Sequence, residues 1–281
     1  MASNQAEIPW VDAWIRWERN SKNYDSHDTD DYVVSQDEEP LPPPTECHNF
    51  AYKILNDDIT LKIEGFHSDS EQTWNSTGLT LWKSSHYLCQ YLVDHCKEFM
   101  LPASESGIEC VDDRQMKVLE VGSGLGRCGM LAHLLSKASG NDTKTVLTDG
   151  DTDTLKQLRH NVQNNIDNQD NFECKQLLWG KDNALQFLQK QSEETSKFDL
   201  ILGSDLLYVT SVIQPLFKTI HELLKPNDGK FFMAHCCRRV GNDVTLDEVL
   251  TIAHEMGFMC TEELRNDDDI VLYSFRLLET A

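Results

Sequence analysis

The chain has 281 residues, 40% of them apolar, enough to bury a sizeable core, and its 47 acidic against 25 basic residues leave a formal charge of −22. A surface this acidic repels phosphate backbones and anionic bilayers, so neither nucleic acid nor membrane is expected as a ligand, and basic, lysine-bearing partners are favoured. The nine cysteines are odd in number and include no C-x-x-C pair, which argues against a disulfide framework or a zinc site and for reduced thiols in a cytoplasmic or nuclear setting.

The opening residues, MASNQAEIPW, lack a charged stretch followed by a long apolar one, and no window approaches 18 consecutive apolar residues. Neither a signal peptide nor a transmembrane helix is expected. Within residues 1–20, Trp10, Trp14 and Trp17 fall at i, i+4 and i+7, one face of a short amphipathic helix that docks on the main domain or on a partner. Residues 21–46 hold eight acids, one lysine and Pro42-Pro43-Pro44, too polar a stretch to order itself, and read as a linker. The main domain is assigned to 47–281. It begins with FAYKILNDDITLKIEGF, whose alternation predicts a β-hairpin around Asn56-Asp57-Asp58. LTLWKSSHYLCQYLVDHC then spaces Leu81, Tyr87, Leu88, Tyr91 and Leu92 as a helix, with Ser84 or Ser85 available to cap it.

From Lys117 the periodicity alternates between strand and helix. KVLEV, TVLT, FECKQLLW, FDLILGS, KFFMAHC and IVLYSFRL read as strands. GRCGMLAHLLSKA, DTDTLKQLRHNVQNN, NALQFLQKQ, VIQPLFKTIHELL and TLDEVLTIAHEMG read as the helices between them. Strands separated by helices of this length require right-handed crossovers and a mostly parallel sheet covered on both faces, a doubly wound α/β domain.

Ligands of such a sheet bind beyond the carboxyl ends of its strands, where the strand order reverses. The first strand runs into EVGSGLGRCG, where Gly122, Gly124, Gly126 and Gly129 supply a tight turn and close backbone approach. Gly124 to Gly129 matches G-x-G-x-x-G literally, but the turn begins at Gly122, and the residue five further on is Arg127, where a dinucleotide fingerprint needs glycine or alanine. The second strand ends VLTDGD, which places Asp149 where a carboxylate can accept both hydroxyls of a ribose or, as a competing reading, cap the next helix, as Asp151 and Asp153 also could. The fourth strand delivers Ser204, Asp205 and Tyr208 of GSDLLYV to the same end of the sheet.

VLEVGSGLGRCG, VLTDGD, LLWG, FDLILGSDLLYV and the upstream TGLTLW occur in this order over roughly residues 50 to 275. Together they resemble the seven-β-strand protein-lysine methyltransferases, the family of the methyltransferase-like-21 enzymes and the calmodulin-lysine methyltransferase. The resemblance implies a seven-stranded Rossmann-like sheet, S-adenosyl-L-methionine as cofactor and a protein substrate presenting a lysine. It also implies that Trp82 borders the methionine end of the cofactor and that Gly122, Ser123 and Gly124 wrap its amino-acid and ribose portions. Asp149 would hold the ribose, Trp179 would lie near the adenine and Ser204 would complete the pocket. Asp205-Leu206-Leu207-Tyr208 matches the D-x-x-Y motif of the family, which makes Asp205 and Tyr208 the expected catalytic pair. Lys83-Ser84-Ser85 departs from the family pattern after Trp82, which leaves the start of that helix open.

An amine with a pKa near 10.4 must lose a proton before it attacks a sulfonium methyl, and an apolar mouth lowers that pKa by desolvating the ammonium. Asp205 is expected to orient the amine rather than to act first as its base, with Tyr208 packing or donating beside it. His235, Cys236 and Cys237 cluster in sequence, but no third residue orients them as a nucleophile. Three other readings stay open at this level: a histidine or arginine target, an oxidoreductase, and a non-catalytic interaction protein. A monomer is expected.

Overall fold

The computed structural model describes residues 46–54, 58–68, 77–99, 115–190, 197–237 and 244–277. The predicted tryptophan helix and all of the predicted linker except Glu46 lie outside these residues. β1 (Cys47–Lys53) pairs antiparallel with β2 (Asp58–Glu64), Lys53 opposite Asp58. This is the expected hairpin, although residues 55–57 of its turn fall outside the description. β3 (Phe66–His67) and β4 (Thr80–Leu81) form a short parallel pair.

The main sheet contains β5 (Met116–Val121), β6 (Thr143–Asp149), β7 (Phe172–Gln176), β8 (Leu200–Ser204), β9 (Lys230–Cys236), β10 (Phe258–Arg265) and β11 (Ile270–Leu277). Its seven strands run in the order β10-β11-β9-β8-β5-β6-β7. β5 is parallel to β6 and β8, β6 to β7 and β8 to β9, while β11 is antiparallel to both of its neighbours. The chain therefore steps from β5 toward β7 on one side and from β8 toward β9 on the other. The reversal falls between β5 and β8, the position at which doubly wound sheets open a crevice.

Six helices matter to the site: α1 (Lys83–Asp94), α2 (Arg127–Ala138), α3 (Thr152–Asn165), α4 (Lys181–Lys190), α5 (Ile213–Leu223) and α6 (Leu246–Glu255). Alternation along the strands divides the core into two layers. Val118, Leu200, Leu202, Phe232, Ala234 and Leu272 face α1, α2, α3 and the hairpin. Leu119, Val121, Ile201, Phe231, Met233 and Val271 face α4, α5 and α6. Both faces are covered, so the inner strands are near-continuous apolar runs. No described helix is long and apolar enough to cross a membrane.

Three local expectations are corrected. Neither Ser84 nor Ser85 caps α1; Trp82 occupies the N-cap position without a side-chain cap bond, and Ser85 Oγ instead donates to the Trp82 carbonyl at 2.7 Å. Leu81 belongs to β4, outside the helix. β7 stops at Gln176, so Leu177, Leu178 and Trp179 leave the sheet. β10 was not among the six strands read from periodicity. Most of its side chains are exposed and it carries Glu262, Glu263 and Arg265, so an edge strand protected by charge shows little apolar alternation.

Candidate active site

The turn after β5 is built on positive φ angles: +58° at Gly122, +52° at Gly124 and +82° at Gly126. A Cβ on Gly122 would stand 2.7 Å from Leu206 Cδ2 and 3.3 Å from Trp179 Cζ2, and one on Gly124 would stand 3.0 Å from the Gly78 carbonyl. The turn thus keeps its inner surface bare backbone, closed in by TGLTLW on one side and Trp179 on the other. Ser123 locks it to the sheet: its amide donates to the Thr148 carbonyl at 2.8 Å, its hydroxyl donates to the Glu120 carbonyl at 3.0 Å, and the same oxygen accepts from the Thr148 amide at 3.0 Å.

Asp149 ends β6 facing this turn. Its Oδ2 accepts from the Gly124 amide and its Oδ1 from the Asp151 amide, each at 3.0 Å. The cap of α3 is Asp151, which accepts from the Thr154 amide and hydroxyl, each at 2.7 Å. That division of labour removes the cap reading of VLTDGD for Asp149, whose carboxylate points at the turn. Burial raises its carboxyl to about 6, against the pull of the amides that favour the anion. Glu120 lies deeper, 2% exposed, accepting from the Gly129 amide at 3.0 Å, and burial pushes its carboxyl up to about 8. It is the strut that ties β5 to the start of α2.

After β8 the backbone turns sharply. Asp205 adopts φ +52°, a left-handed conformation that aspartate tolerates better than most residues. Its amide donates to the Ala234 carbonyl at 2.9 Å, and its Oδ1 accepts from the Cys236 amide at 3.2 Å. Asp205 is buried, fixed between the ends of β8 and β9, and it does not cap the helical turn that follows. Tyr208 is half-buried, its ring centroid 6.4 Å from that of Trp82. The Trp82 indole donates to the Thr77 carbonyl at 2.9 Å, which fixes the ring beside Tyr208.

A single cavity of about 260 Å³ joins these parts. All nine residues expected from the sequence, Trp82, Gly122, Ser123, Gly124, Asp149, Trp179, Ser204, Asp205 and Tyr208, line it. Thr77, Gly78, Thr154 and Leu177 also line it and were not anticipated; Thr77 and Gly78 belong to TGLTLW, so that motif held a signal for them. Asp149, Asp151, Asp153 and Asp205 line the cavity, with Glu120 protonated near pH 7 and Arg127 as the one basic residue among the described lining, a balance suited to a cationic ligand and hostile to a pyrophosphate. His235, buried in β9, and Cys236 at its end are not part of the lining.

A doubly wound sheet with a bare glycine turn, a strand-end carboxylate and an acid-lined cavity at its switch point defines a nucleoside-binding domain made for a positively charged ligand. The chain belongs to the lysine methyltransferase family, whose profile matches residues 56–250. Protein-lysine N-methyltransferase EFM6 of Saccharomyces cerevisiae is 29% identical over 52% of this chain and 58% of its own. Protein N-lysine methyltransferase METTL21A of Xenopus tropicalis is 28% identical over 62% and 64%, and protein N-terminal and lysine N-methyltransferase efm7 of Neurospora crassa is 31% identical over 68% and 61%. The chain thus spans less than two thirds of the length of these curated relatives. The methyl donor that the family implies is S-adenosyl-L-methionine. The cavity fits it: the bare inner face of Gly122 and Gly124 admits a close-lying ligand, Asp149 offers a paired acceptor for a ribose, and the acidic lining suits a sulfonium and an ammonium.

Proposed function

We propose that this protein is an S-adenosylmethionine-dependent protein-lysine N-methyltransferase, acting as a monomer in the cytoplasm or nucleus on a lysine within a basic segment of its substrate. The observation that supports the reading is the shared cavity, which Gly122, Ser123, Gly124 and Asp149 line together with Asp205, Tyr208 and Trp82. S-adenosylmethionine, when bound, would supply a sulfonium methyl carbon that an amine attacks in line, the thioether sulfur leaving with the C–S electron pair, so the chain's task is to align and desolvate a neutral nucleophile.

Gly122, Ser123 and Gly124 bind the donor along their backbone, Asp149 takes the ribose, and Trp179, lying over Gly122, borders the adenine. Ser204, at the end of β8, closes the floor between donor and amine. The Trp82 and Tyr208 rings desolvate the incoming ammonium and lower its pKa. Asp205 accepts a hydrogen bond from the amine and directs its lone pair; the Cys236 amide holds the carboxylate in place. A carboxylate beside an ammonium stabilises the charged form, so the proton leaves to water and Asp205 serves orientation.

The test is Asp205→Ala, assayed with tritiated S-adenosylmethionine in extract from cells lacking the protein. The variant is expected to lose transfer by at least about 100-fold while binding S-adenosylhomocysteine within a few-fold of the unaltered protein. Methylation by the variant at the original rate would refute the assignment, and mass spectrometry of the labelled product identifies the side chain modified.

A further inference from the structure

Arg127 stands at the first position of α2 and is 6% exposed. Its Nε donates to the Tyr52 hydroxyl at 2.8 Å, its Nη2 lies 3.2 Å from His86 Nδ1, and its guanidinium carbon sits 3.6 Å above the Phe50 ring. Burial, followed by the Arg127 charge itself, lowers the pKa of His86, so the ring is neutral near pH 7 and accepts from the arginine. None of these contacts supplies a negative charge. Among the described residues no carboxylate forms an ion pair with Arg127, although five acids line the same cavity. A buried cation without a counter-ion is costly, and guanidinium groups at such sites are found with anions.

The lining comes from separate elements. Asp149 and Trp179 follow β6 and β7, where a nucleoside is placed above. Trp82, Ser85, Arg127 and Cys128 line it where α1 meets the start of α2. We infer that Arg127 is a ligand-binding residue that receives the α-carboxylate of the methionine portion of S-adenosylmethionine, with Tyr52 and His86 presetting the plane of its guanidinium. This rests on the proposed function and adds a contact that the glycine turn does not provide. It also explains why arginine stands where a dinucleotide fingerprint has glycine: the side chain fills the space between α2 and the hairpin and brings the cavity its positive charge.

The experiment uses the full chain and two probes, S-adenosylhomocysteine and 5′-methylthioadenosine, which share the nucleoside and sulfur but differ in the amino-acid portion. Calorimetric titration of Arg127→Met is expected to show about 10- to 100-fold weaker binding of S-adenosylhomocysteine, the loss typical of a charge-assisted hydrogen bond, with 5′-methylthioadenosine changed by less than about 3-fold. Arg127→Lys should fall between, keeping the charge and losing the fork. Equal weakening of both probes, or of neither, would overturn the inference. Should Arg127→Met fail to fold, Tyr52→Phe removes only the anchoring hydroxyl and should weaken S-adenosylhomocysteine selectively by a few-fold; unchanged selectivity would count against the arginine. If the unaltered protein binds neither probe, the proposed function itself fails.

Discussion

Asp149 combines two demands that pull in opposite directions with pH. Its ionised form can accept from both hydroxyls of a ribose while keeping the Gly124 and Asp151 amides. Burial raises the carboxyl to about 6, so the free protein takes up this proton as pH falls through that value. S-adenosylhomocysteine affinity should therefore be full above about pH 7 and decline by about pH 5. Asp149→Asn should bind about 10-fold more weakly with a flat profile; titration of both proteins across the range reads this directly. Stability responds with the other sign. The folded state holds this proton more tightly than the unfolded chain does, so the contribution of Asp149 to stability rises as pH falls through about 6 and diminishes as pH rises. At this scale the sequence was informative, because VLTDGD and GSDLLYV place acids at strand ends, where a sheet of this kind does its chemistry. It could not say which of three aspartates caps α3, since all three stand within one turn; the carboxylate directions decide it. Arg127 was legible only as a departure from a pattern, because its partners Phe50, Tyr52 and His86 lie some 40 to 80 residues away.

The glycine turn and the segments closed around it act as one element. At Gly122 an added methyl group meets Leu206 and Trp179 and forces a left-handed φ on an L side chain. Gly122→Ala should cost about 1–3 kcal/mol of stability, read as a lowered denaturation midpoint. It should also shift Trp179, visible in its fluorescence, and weaken S-adenosylhomocysteine more than an equally destabilising core substitution would. Elements with strong periodicity were legible almost to the residue: α3 was expected over 151–165 and spans Thr152–Asn165, and α6 begins with the capping box of Thr245 and Glu248. The misses have physical causes. β10 is an edge strand whose charged side chains hide its pattern, α1 starts after Trp82 with no side-chain cap to signal it, and β7 releases Trp179 from the sheet, where it covers Gly122.

For the molecule as a whole, the formal charge of −22 acts over distances that single contacts do not reach. If the substrate presents a lysine-rich segment, raising ionic strength from about 0.02 M to about 0.3 M should raise KM for a basic peptide several-fold by shortening the screening length. S-adenosylhomocysteine affinity should change little, because its contacts are short-range and lie within the cavity. An unchanged KM across that range would show that the acidic surface does not recruit the substrate. The hairpin belongs to this scale too, since Phe50 and Tyr52 support Arg127 although β1 precedes the matched region 56–250.

β11 follows every other strand of the sheet in sequence, yet it lies between β10 and β9 and is buried along nearly all its length. As the chain emerges during synthesis, β9 must therefore keep one edge open until Ile270–Leu277 arrives to fill the gap. The lining of the cavity runs from Thr77 to Val212, whereas the sheet whose strand β9 holds Asp205 is closed only by residues made later, so truncation ahead of Ile270 should leave the lining residues intact in sequence but β9 with an unpaired edge.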